Sequence, residues 1–88
     1  MTVNYTGLPE GLRGGAERWI EHGIQPGRFL SAVICNDLRG AVTRADADNL
    51  PRLLAIVIWW CHETPLECWG NAAAARAWAE RHGRTFQP

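Results

Sequence analysis

The chain contains no lysine: all nine of its basic side chains are arginine, and nine acidic side chains balance them. A general nucleic-acid binder carries a basic excess that displaces counterions, and a DNA mimic carries an acidic one, so the balance argues against both. The arginine-only usage, with abundant alanine and glycine, fits a GC-rich coding sequence. Guanidinium forks nevertheless suit carboxylate and phosphate partners. The sequence also lacks an apolar run near the ~20 residues that a bilayer crossing requires. No charged, apolar, small-residue signal segment opens it, and its three cysteines do not form an even disulfide framework. The expected setting is therefore a reducing cytoplasm, with no membrane partner.

Chemical constellations are sparse too. Cys35, Cys61, Cys68 and His62 carry zinc-type ligand atoms, yet there is no C-x-x-C pair, and adjacent Cys61 and His62 diverge around a helix. No metal is expected, and the cysteines read as small hydrophobes. No glycine-flanked elbow surrounds Cys35 or Cys68 to make a nucleophile with His22 or His62, and the glutamates are scattered. Phosphate-binding glycine motifs are missing. These features predict a non-enzymatic protein without a cofactor.

What is present is a run of nine apolar residues, Leu53-Leu54-Ala55-Ile56-Val57-Ile58-Trp59-Trp60-Cys61, bounded by Arg52 and His62. A helix carrying it is apolar nearly all round, which predicts the most buried element of a small bundle. Leu53, Ile56, Val57 and Trp60 are expected to face inward, leaving Trp59 to a second helix layer, a subunit interface or a partner, with complete burial inside the bundle as the alternative because the whole run is apolar. Around this run the helical period recurs. Pro9 opens a first helix through Leu12, Ala16, Trp19 and Ile20, which Gly23 ends. The Pro26-Gly27 turn leads to an apolar stripe from Phe29 to Val42, broken at Asn36-Asp37, where Asp37 is expected to cap a second piece. Asp48 or a neighbour starts the apolar helix with Pro51 in its first turn, and Thr64-Pro65 stops it. Asn71 then caps an alanine-rich last helix that Gly83 closes. The fold class is all-α: a small four- to five-helix bundle around one strongly apolar central helix. Residues 1–7 read as a flexible N-terminal arm, residues 8–83 as a single helical domain and residues 84–88 as a C-terminal tail.

The polar interruption supplies the candidate binding surface. Arg28, Asn36, Asp37 and Arg39 gather amide, carboxylate and guanidinium groups near one bundle end, together with Arg44, Asp46 and Asn49, and Trp69 in the Cys68–Gly70 connector is the next candidate. Capping alone accounts for Asn36, Asp37, Asp48 and Asn49. A recognition surface accounts for the arginines, either against a protein or against a nucleotide stacked on Trp69 or Trp59. Five tryptophans in an 88-residue chain also predict self-association, because so small a domain has little interior to hold them.

The segments 17–27 (ERWIEHGIQPG), 29–38 (FLSAVICNDL), 44–49 (RADADN) and 68–70 (CWG) resemble a group of small accessory proteins encoded by bacteriophages and prophages of Gram-negative bacteria. The likeness runs through most of the chain from Leu8 onward, contains no motif of known chemistry and transfers no site residue. It implies a cytoplasmic protein of the infected host that inhibits or modulates a host protein. Anti-CRISPR and other anti-defence proteins have this size. The alternatives are an oligomeric sponge that sequesters a nucleotide immune signal, and a structural accessory or transcriptional regulator. The regulator would need a groove-reading basic helix that the sequence does not show.

Overall fold

The computed structural model describes residues 3–88, and among them all regular structure is helical. Five α-helices follow in order: α1 (Glu10–His22), α2 (Arg28–Ile34), α3 (Leu38–Arg44), α4 (Leu53–Glu63) and α5 (Ala72–Arg81). Short 3-10 turns at Tyr5–Gly7, Leu50–Arg52 and Leu66–Cys68 lie between or before them. The all-α bundle read from the sequence is thus the observed fold.

Local chemistry sets each helix end. Gly23 takes φ 67°, and the amides of Gly23 and Ile24 return to the carbonyls of Trp19 and Arg18, the paired closure of a Schellman cap. A side chain here would meet a second obstacle, since a Cβ would lie 2.8 Å from that of His82. The second apolar stripe breaks where expected. Asn36 adopts φ 57°, the Asp37 amide reaches back to Ala32, and the Asp37 carboxylate accepts from the Gly40 amide at 3.0 Å to start α3. Asn71 caps α5 by accepting from the Ala74 amide at 2.8 Å. Before α4, Asp46 takes the role expected of Asp48: its carboxylate accepts from the amides of Asp48 and Asn49. An Asx side chain closes a turn over residues two and three ahead of it, and Asp46 is the one so placed.

The central helix is α2. Every residue from Phe29 to Ile34 is buried, whereas α4 buries only Ile56, Trp59 and Trp60. Leu54 of α4 is 74% exposed and Ile58 47% exposed. The expectation that residues 53–61 form the most buried element is therefore corrected. The two indoles, 5.2 Å apart and edge to face, fill the inner side of α4, and no helix lies over its outer side. A domain this small lacks the material for another layer.

Tryptophans also build the rest of the interior. Trp19 donates its indole N–H to the Cys68 carbonyl, and Trp78 donates to the Trp19 carbonyl. Trp59 takes the alternative of burial within the bundle: Tyr5 leans on its ring, and its N–H reaches the Asn4 carbonyl at 2.8 Å. The segment expected to be a loose arm is thus tied down over residues 4–7; Met1 and Thr2 lie outside the described residues. The 84–88 tail is likewise part of the domain. Phe86 is buried, and Gln25 and Gln87 exchange two hydrogen bonds. Four of the five tryptophans are buried in one chain, which removes the crowding argument for self-association.

Candidate functional site

The break between α2 and α3 positions the candidate residues. Its left-handed Asn36 reverses the chain, so α3 folds back beside the end of α2. Asp37 is held against the first turn of α3, where Gly40 is obligatory. A Cβ at Gly40 would collide with the Asp37 carboxylate and stand 3.0 Å from the Arg44 guanidinium. From the other direction, the Gly70 amide donates to the Ile34 carbonyl at 2.8 Å, docking the α4–α5 connector on the last turn of α2. That bond places Trp69 beside Asn36.

Asn36, Asp37 and Trp69 consequently share the wall of one apolar recess of about 130 Å³, which Val33, Leu53 and Val57 complete. Leu38 lies on the same wall and is 70% exposed. Beyond Leu53 and Val57, the outer side of α4 continues the apolar surface. Residues four apart lie on one helix face, so Leu54 and Ile58 form an exposed stripe with Cys61 at its end, and Leu50, in the 3-10 turn before α4, is exposed as well. Between Arg52 and His62 this helix carries no charged side chain.

Arg28 lies elsewhere. At the start of α2 it lines a polar groove with Arg44, and Arg18 joins them at one end. Asp37 reaches this groove as well as the recess, and Arg39 is exposed and lines neither. The structure therefore divides the five candidate residues: Asn36, Asp37 and Trp69 come together, Arg28 belongs to the second concavity, and Arg39 stands apart. Sequence reasoning missed Leu38, Leu54 and Ile58 as surface residues, and Arg18 as a neighbour of Arg28. No spacing marked Leu54 and Ile58, because every face of the 53–61 run is apolar.

The cysteines are dispersed. Cys61 is exposed, Cys35 is half-buried and Cys68 is fully buried. Burial pushes the Cys68 thiol up to about 11. Burial also raises Cys35, with the Asp37 charge adding to it and Arg76 opposing it. Both are held as neutral thiols at neutral pH. No group of three or more metal-ligating side chains occurs among the described residues.

Comparison with protein-family models, curated proteins and solved structures gives no match. Among the described residues, no helix is long and apolar enough to cross a membrane.

Proposed function

We propose that this protein is a non-enzymatic binding protein that acts by covering the surface of another protein with its α3–α4 face. One observation carries the reading: an uncharged, exposed apolar stripe, Leu54 and Ile58, runs beside a recess sized for a single apolar side chain. Interfaces draw most of their energy from a few apolar or aromatic anchors seated in such recesses and ringed by polar groups. Asn36 and Asp37 supply that rim here, and Trp69 supplies an aromatic wall.

The occupant is an amphipathic helix of a host protein, whose apolar residues at i, i+3, i+4 and i+7 would lie along α4 with one inserted in the recess. The phage-like segments in the sequence favour a host component as the partner, an anti-phage defence protein included. Inhibition then follows from steric occupation and requires no chemistry.

The test is affinity capture from a bacterial host lysate with the intact protein, Leu54→Glu, Ile58→Glu and Arg39→Gln. The expected result is one host protein retained by the intact chain and by Arg39→Gln and lost with both glutamate variants. Retention unaffected by either glutamate would overturn the reading. So would light scattering showing a stable dimer that the same glutamates dissociate, because a second copy would then own the face.

A further inference from the structure

We propose that the groove between α1, α2 and α3 binds a phosphomonoester through Arg18, Arg28 and Arg44. The wall that holds all three arginines shares no residue with the recess assigned to protein binding, while Asp37 borders both that recess and the adjoining stretch of the groove. It is a concavity of about 390 Å³ at which three helices each contribute one guanidinium: Arg18 from α1, Arg28 from the start of α2 and Arg44 from the end of α3. The groups come from positions distant in sequence, so helix packing brings them together and local patterning does not.

The arginines are uncommitted. Arg13 and Arg84 donate to backbone carbonyls and Arg81 lies over the Trp78 ring. Arg18, Arg28 and Arg44 donate no hydrogen bond to any other group among the described residues. Two carboxylates border these arginines: Asp46, one of whose oxygens already accepts from two backbone amides, and Asp37, which lines the adjoining stretch with Arg28 and Arg44 and accepts from the Gly40 amide. The groove therefore gathers three cations against two carboxylates that are each engaged by backbone amides, in a chain whose total charge is balanced.

That imbalance selects the ligand. A phosphate monoester carries about −1.5 to −2 charge at neutral pH and three acceptor oxygens. Guanidinium forks match those oxygens two at a time, and a lone carboxylate would engage only one fork. The volume leaves room beyond the phosphate for an organic group. Leu12, Pro26 and Phe29 form an apolar wall for it, and Asn49 adds a neutral amide.

The experiment is titration calorimetry at constant, low ionic strength with adenosine 5′-monophosphate, inorganic phosphate and citrate as probes. The expected order is the monophosphate ester tightest, inorganic phosphate weaker and citrate weakest. Arg28→Gln combined with Arg44→Gln should weaken the ester at least about tenfold, and Arg18→Gln alone should weaken it measurably, while Arg39→Gln leaves it unchanged. Thermal melts verify that each variant folds, and Arg18→Gln decides the matter if the double variant does not. Absence of ester binding, or ester binding insensitive to these arginines, would overturn the site. Inorganic phosphate binding as tightly as the ester would overturn the assignment to an ester, and citrate binding more tightly than either would overturn phosphate as the recognised group.

Discussion

The ring of Phe86 lies 5.3 Å from that of Trp19, tilted by 56°, although Trp19 belongs to the first α-helix and Phe86 follows the last. Trp19 is wholly buried and Phe86 nearly so, and Arg84 reinforces the contact by donating to the His22 carbonyl. Phe86→Ala should therefore cost ~3–5 kcal/mol, as for a buried aromatic truncated in a packed core. Urea unfolding checks this; a loss no larger than that of a surface substitution would detach the 84–88 segment from the core.

The two sides of α4 should respond differently to the same change. Ile56→Ala removes a side chain buried on the same inner side of α4 as Trp59 and Trp60 and should cost ~2–5 kcal/mol. Leu54→Ala removes one that is 74% exposed and should stay within about 0.5 kcal/mol. Equal losses at the two positions would mean that Leu54 is covered in the free protein.

At Gly40 the usual preference of helices for alanine should reverse. Gly→Ala in a helix interior gains ~1 kcal/mol where space allows, but here the added carbon would displace the Asp37 carboxylate from the Gly40 amide. Gly40→Ala is expected to destabilise. Asp37→Ala should lose ~0.5–2 kcal/mol as a helix cap. The double variant should lose less than the sum, since both changes break one bond. Additive losses in the thermodynamic cycle would separate the glycine from the cap.

The helix ends were legible in the sequence because each is made by a local device. Gly23, Asn36-Asp37 and Asn71 act on backbone groups within a few residues, so their identities suffice. Which side of α4 faces outward was not legible. A run apolar all round carries no polar face to mark the solvent side, and periodicity says which residues share a face without saying which neighbour is missing. Phe86 and Arg18 escaped notice for a related reason: their partners are fixed only by how the helices pack. Of the candidate residues, Asn36 and Asp37 are neighbours by sequence alone, whereas the approach of Trp69 to them, that of Asp37 to Arg28 and the separation of Arg39 are set by how the connector and helices pack.

The Cys68 thiol predicts an alkaline limit. Its value in the fold is pushed up to about 11, from an ordinary value near 9, chiefly by burial, and burial together with Glu21 raises Tyr5 as well. As pH rises from about 9, the unfolded thiol loses its proton while the folded one keeps it, so stability falls until the folded group also ionises near 11. Urea midpoints at about pH 8 and about pH 10 should show this decline, with a shallower slope in Cys68→Ala. At neutral pH a thiol reagent should label exposed Cys61 and spare Cys68 in the folded state. Rapid labelling of Cys68 would show that its surroundings open.

The edge-to-face meeting of Trp59 and Trp60 makes them an optical pair as well as a structural one. At 5.2 Å their electronic transitions couple, which adds an exciton couplet to the far-ultraviolet dichroism where the helical signal is read. Helix content taken from that region alone would be distorted, while the coupled signal reports how the inner side of α4 is seated, Trp60 lying 6.0 Å from Trp69 of the connector as well. A ligand or partner that tightened or loosened that seating would register in the couplet even if every helix kept its length.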